Sequence, residues 1–157
     1  SRPTLKEAAK DIGLRSGTAA ARQVAETGKD VLIAVVDTGF DLSHPMFRDS
    51  NGQLRVARLL DQTDANREFD TAELEAAWQA GGARPGFDED GHGTHVASIA
   101  GGSFHGGLEG VAPGARFLLV KTDFINTDDA VSWAFAQAGD RPCVVNLSLG
   151  HHFGAHD

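Results

Sequence analysis

An aspartate that ends an apolar run and a histidine framed by glycines are the residues of this sequence best suited to proton chemistry. The first is Asp37, directly after Val31-Leu32-Ile33-Ala34-Val35-Val36; the second is His92, within Asp90-Gly91-His92-Gly93-Thr94-His95-Val96-Ala97-Ser98. A buried carboxylate facing the Nδ1–H of an imidazole fixes its tautomer, leaves Nε2 as a general base and stabilises the imidazolium formed during acyl transfer. Glycines on both sides of the imidazole let another backbone or a substrate come close. Plainer readings exist for each residue. Asp37 alone fits a turn or a helix cap. His92 and His95 form an i, i+3 pair that could hold a metal with Asp88 or Asp90, although no third block of ligands follows. His95 otherwise reads as a packed, hydrogen-bonded histidine.

The two residues can meet only if the intervening chain places them at one end of a sheet. In parallel α/β sheets, sites form at the carboxyl ends of strands. The apolar run before Asp37 suits a strand buried on both faces. Arg55 to Leu60 reads as a second, more peripheral strand, and Asp61 to Phe69 as polar loop. Asp70-Thr71-Ala72-Glu73 is a capping-box start for a helix that ends at Gly81-Gly82. His92 to Ala100 is helical in pattern, with Val96, Ile99 and Ala100 on one face. Phe117 to Val120 is a short apolar strand, Thr127-Asp128-Asp129 caps a helix to about Ala138, and Pro142 introduces a last strand, Cys143 to Leu149. Cys143, Trp133 and Phe135 read as core. Before all of these, Leu5 to Thr27 is Ala-rich and broken by Gly13 and Ser16-Gly17 into two short helical pieces. The alternation of strand and helix predicts an α/β fold with a parallel sheet and right-handed crossovers.

Four blocks in order carry a family resemblance. Val35-Val36-Asp37-Thr38-Gly39-Phe40-Asp41 with Ser43-His44-Pro45, then Gly91-His92-Gly93-Thr94-His95-Val96-Ala97, then Gly110-Val111-Ala112-Pro113, then Val145-Asn146-Leu147-Ser148-Leu149-Gly150 resemble the subtilisin-like serine proteases. The resemblance implies a three-layer α/β catalytic domain and an Asp, His, Ser triad in that chain order, with Asp37 as its carboxylate and His92 as its base. It also implies that Ser148, Leu149 and Gly150 pair with substrate backbone, as in strand addition, so that an extended polypeptide is the substrate.

Departures from the family pattern are equally informative. The family's nucleophilic serine sits in a Gly-Thr-Ser-Met-Ala-like turn downstream of the Ser-Leu-Gly block, as does its oxyanion asparagine, and neither is found up to Asp157. The expectation is therefore that residues 1–157 form the N-terminal portion of such a catalytic domain, whose partner is the remainder of the same domain. Asp37 and His92 stand 55 positions apart, against roughly 30 in the family's reference member, so about two dozen residues are inserted. Lys121 to Trp133 is short for the family, which places the outer substrate subsites in doubt. Met46 stands where family members carry an aspartate ligand of a tight calcium site, and a thioether suits a hard cation poorly, so no metal is expected. No cofactor is implied. Asp88, Glu89 and Asp90 either complement a helix N-terminus or favour basic side chains in a neighbouring subsite.

Composition narrows the partners. The 157 residues carry 22 acidic against 14 basic side chains, a formal net charge of -8, and no basic stripe that could displace counterions, which argues against nucleic acid. The longest apolar run is far below the ~20 residues of a bilayer span, and the start SRPTLKEAAK lacks the apolar stretch of a secretory signal. No membrane partner is expected, and a secreted or cell-envelope location is only what the family most often implies. A single cysteine excludes an intrachain disulfide framework. The competing functional reading is a catalytically dead relative that keeps a peptide groove. The resemblance implies that residues 1–157 alone hydrolyse nothing; turnover of a generic peptide by that purified chain, abolished by His92→Ala, would refute it.

Overall fold

In a computed structural model that describes residues 24–148, five strands form one mixed sheet in the order β3-β2-β4-β1-β5. The interior strand β1 (Leu32–Asp37) is buried at all six positions. It pairs in parallel with β4 (Arg116–Lys121) on one side and β5 (Cys143–Leu147) on the other. A run with no polar alternation has no face to offer solvent, so both faces must be covered. Ile33 and Val35 pack with Phe117, Leu119, Leu59 and Ala97 on one face. On the other, Leu32, Ala34 and Leu118 meet Ala134 and Ala138, while Val36 and Val120 meet Ala130. Helices α1 (Thr71–Gln79) and α2 (His92–Gly101) thus lie over one face and α3 (Thr127–Ala138) over the other. The three-layer α/β expectation holds.

Several local expectations change. The strand expected from Arg55 is β2 (Val56–Asp61), and it is not peripheral: it pairs in parallel with β4, and Leu59 is fully buried. Part of the expected polar loop is a strand, β3 (Arg67–Asp70), antiparallel to β2, so the sheet is parallel except at this edge. A four-residue strand with one buried side chain, Phe69, leaves almost no period-2 signal to read. Its end becomes the cap of α1, where the Asp70 carboxylate accepts from Glu73 N–H at 2.9 Å and Glu73 accepts from Asp70 N–H at 2.8 Å. That reciprocal box is worth about 1 kcal/mol.

Strand β5 was expected in the core but lies at the sheet's other edge among the described residues, with Val144, Asn146 and Leu147 exposed. Phe135 is likewise exposed, whereas Trp133 packs between α3 and the sheet. The helical pieces expected from Leu5 lie outside the described residues as far as Gln23, and Val24 to Thr27 are irregular.

Of the side chains expected on the packed face of α2, Val96 and Ala100 do lie partly buried against the core, but its fully covered positions are smaller residues. Gly93, Ala97 and Gly101 are buried, while Ile99 is exposed. Small residues every fourth position let the helix axis approach β1 closely. A Cβ on Gly93 would lie 3.0 Å from Asp37 Cβ and 3.1 Å from the Phe40 ring, and closer still to the Gly39 carbonyl oxygen. At the far end of α2, buried Arg55 donates to the Gly101 carbonyl at 2.5 Å and to those of Met46, Ala115 and Pro113 at 3.0, 2.6 and 2.7 Å. A guanidinium there satisfies a carbonyl the helix itself leaves unpaired. Gly93→Ala should therefore lower stability by about 1–3 kcal/mol through forced separation of α2 and β1. Gly82→Ala, with no atom within 4 Å of the added carbon, should leave the urea midpoint nearly unchanged; equal midpoints for both variants would discount the close approach.

Candidate active site

Asp37 is the last residue of β1, and its side chain is fully covered. It accepts from its neighbour's backbone, Thr38 N–H, at 2.8 Å, which aligns the carboxylate along the strand exit. Gly39 follows at φ +141, a conformation that favours glycine, and there the chain runs against residues 86–88. His92 opens α2, and its Nδ1 lies 2.8 Å from Asp37 Oδ1. Residues 55 positions apart in sequence thus share one hydrogen bond. With Nδ1–H donating to a carboxylate, Nε2 of the neutral ring carries the lone pair, and the side chain is 49% exposed. Thr94 secures the same junction from the helix, its hydroxyl accepting from Asp41 N–H at 2.8 Å.

The long insertion supplies the support beneath the loop before His92. Asp61, at the end of β2, is buried and accepts from Gly86 N–H at 3.2 Å, while Phe40 N–H donates to the Gly86 carbonyl at 2.7 Å. Lys121, at the end of β4, donates to the Phe87 carbonyl at 2.6 Å. Trp78 of α1 meets the Phe87 ring edge-on at a centroid distance of 5.9 Å, and the Arg84 guanidinium covers the same ring at 3.5 Å. Residues from β2, β4, α1 and the loop after β1 therefore fix the approach to the imidazole.

The electrostatics favour the charged imidazole. The hydrogen bond to Asp37 raises the His92 pKa above its ordinary value; burial opposes this, and the charges of Asp37, Asp90 and Asp88 reinforce it. The second Asp37 oxygen, Oδ2, is buried without a hydrogen-bond partner, so the imidazole faces a carboxylate whose charge is only partly neutralised by donors.

Of the residues singled out from sequence, Asp37 and His92 meet. Ser148 follows β5, whose Leu147 is paired with Val36, so it lies at the level of Asp37 on the neighbouring strand; its hydroxyl donates to Asn146 at 2.6 Å. Leu149 and Gly150 lie outside the described residues. His95 is exposed, not packed as expected. Met46 is buried in the core, and among the described residues no three His, Cys, Asp or Glu side chains gather as a metal site. Sequence reasoning passed over Thr38, Thr94 and Lys121. Thr38 and Thr94 sit inside the two motifs, whereas nothing local marks Lys121.

Fold and site together define an α/β protein with a hydrogen-bonded aspartate–histidine pair at the carboxyl end of its sheet. A model of the subtilase family, peptidase S8, matches residues 28–157, and the chain belongs to that family. It is 32% identical over 136 residues to the subtilisin-like protease PopC of Myxococcus xanthus, covering 78% of this chain and 25% of that protein. It is 37% identical over 95 residues to the major intracellular serine protease of Bacillus subtilis, covering 60% of this chain and 24% of that one. The solved structure of the Clostridium perfringens CspB protease superposes with a TM-score of 0.70 at 26% identity, over 83% of this chain and 31% of that chain. The chain thus spans about a quarter of the length of these curated relatives. Related proteins are named both intracellular and, for Vpr and Epr of B. subtilis, extracellular. No helix among the described residues is long and apolar enough to cross a membrane.

A raised imidazole pKa has a pH signature in stability. Folding then favours the protonated ring, so the stabilisation is complete below about 6.5, the ordinary histidine value, and is lost as pH rises through the raised folded value. The stability difference between the parent and His92→Gln should narrow from about pH 5 to about pH 9 in urea titrations. A difference independent of pH would mean that Asp37 does not prefer the imidazolium.

Proposed function

We propose that this chain carries the acid–base half of a serine endopeptidase, with Asp37 orienting His92 and His92 Nε2 as general base and then general acid. The observation that supports this most directly is the 2.8 Å contact between His92 Nδ1 and a fully covered Asp37 carboxylate, the imidazole itself being half-exposed. In peptide hydrolysis the nucleophilic hydroxyl gives its proton to Nε2 as it attacks the carbonyl carbon. The imidazolium so formed is held by Asp37, and returns the proton to the leaving amine. Water then repeats the sequence to release the acyl product.

Among the described residues no hydroxyl hydrogen-bonds to His92. The proposal therefore assigns the nucleophilic serine and the oxyanion donors to chain beyond these 157 residues, as the resemblance implies, and treats residues 1–157 as the N-terminal portion of the catalytic domain. The substrate is an extended polypeptide whose backbone pairs along Ser148, Leu149 and Gly150 beside the exit of β5, with side-chain pockets reading its sequence. No metal or cofactor takes part in the proposed steps. The location follows the family expectation, secreted or cell envelope.

The full-length protein should react with a fluorophosphonate probe, and His92→Ala should abolish the labelling. Asp37→Asn, which preserves shape but permits the wrong tautomer, should lower kcat by about 10⁴. Absence of labelling in a folded full-length protein would instead favour a catalytically dead, peptide-binding relative.

A further inference from the structure

Thr38 has one hydroxyl proton and two carboxylates within reach of it. Its Oγ1 lies 3.2 Å from Asp37 Oδ1, and it also hydrogen-bonds to Asp88 Oδ2. A hydroxyl carries one donor, so a proton given to Asp88 is withheld from Asp37. Asp88 is well placed to hold it. Its Oδ1 accepts from Asp90 N–H at 3.1 Å, which orients the carboxylate across the turn before His92. The turn itself cannot drift, because Gly86 is bonded to Phe40 and Asp61, and Phe87 to Lys121. Gly39 brings the β1 exit so near that an added Cβ would lie 3.1 Å from Asp88 N.

We propose that Asp88 is a positioning residue that acts on the Asp37–His92 pair through Thr38, drawing the threonine hydroxyl proton away from Asp37 Oδ1. Asp37 Oδ1 then accepts from Thr38 N–H and His92 alone, and keeps more of its charge for the imidazole. The result is a stronger base at His92 than the Asp37 contact would produce with a third donor on the same oxygen. The charged groups facing His92 are Asp37 from β1 and Asp88 and Asp90 from the preceding loop, with Lys121 of β4 held on the Phe87 carbonyl next to Asp88. Both loop acids shift His92 in the direction the relay requires. Bare Coulomb attraction from Asp88 would do the same, which sets the design of the test. The catalytic meaning of the relay rests on His92 being the general base, whereas its titration does not.

The experiment is an NMR titration of the His92 ring in the full chain for the parent, Asp88→Asn, Thr38→Val, the double variant and Thr38→Ser. Asp88→Asn should lower the midpoint by about half a pH unit, roughly a threefold loss of proton affinity. In the Thr38→Val background the same change should have little further effect, and Thr38→Ser should titrate as the parent. If Thr38→Val does not fold, Thr38→Ala removes the same hydroxyl. An equal effect of Asp88→Asn with and without the threonine hydroxyl would reduce Asp88 to a distant charge and overturn the relay, as would no effect at all. Missing fluorophosphonate labelling would sink the general-base reading and leave these titrations standing; a failed titration would do the reverse.

Discussion

A covered carboxylate cannot be left without a partner, and the placement of Asp37 at the end of the fully buried strand β1 imposes that condition on the whole molecule. An uncompensated buried charge costs several kcal/mol. Its charge is answered by the Thr38 amide and the His92 imidazole, and the second can arrive only if a helix N-terminus is brought almost into contact with the strand exit. The absent side chain at Gly93 makes that approach possible. The same closeness forces the buried face of α2 to be built from small residues, so the core on this side is filled instead by Phe40, Phe47, Leu59 and Phe117.

The segment between Asp37 and His92, its inserted residues included, is better understood as a scaffold than as a surface loop. It contributes β2, β3 and α1 to the sheet and its cover, and returns along residues 84–90 with a hydrogen bond or ring contact to each neighbouring element. Loop segments that carry a reacting group need this kind of support, because an imidazole displaced by an ångström no longer shares a proton with its carboxylate. The opposite edge is different. Strand β5 presents Val144 and Leu147 to solvent among the described residues, and Phe135 of α3 is exposed as well. Apolar surface of this kind at a sheet edge is what an interaction face offers.

The two motif histidines show how far local pattern carries. His92 and His95 share one short segment and both are exposed, yet of the two it is His92 that a buried carboxylate holds. Glycine on both sides of His92 was the legible sign, since Gly91 suits an N-cap but a second glycine inside the first turn weakens a helix unless something must come close to it. The α1 cap was legible for a similar reason: Asp70 and Glu73 are a reciprocal pair only in one local geometry. By contrast β3 was invisible, being four residues long and mostly polar, and it exists because β2 offers it a ladder.

By itself the sequence determined the order of the other strands and helices, the burial of β1 and the two residues that meet at its exit, Asp37 and His92, because each is written in short-range form: an unbroken apolar run, a capping box, a glycine-framed histidine. Tertiary structure alone decided which positions of α2 are fully covered, where β2 and β5 sit in the sheet, and that Thr38, Asp88 and Lys121 belong to the site. Those outcomes depend on pairings between residues dozens of positions apart, such as Asp37 with Lys121 and Gly86 with Asp61. Free energy for such pairings comes from closing the sheet as a whole, and no local window of the chain contains it.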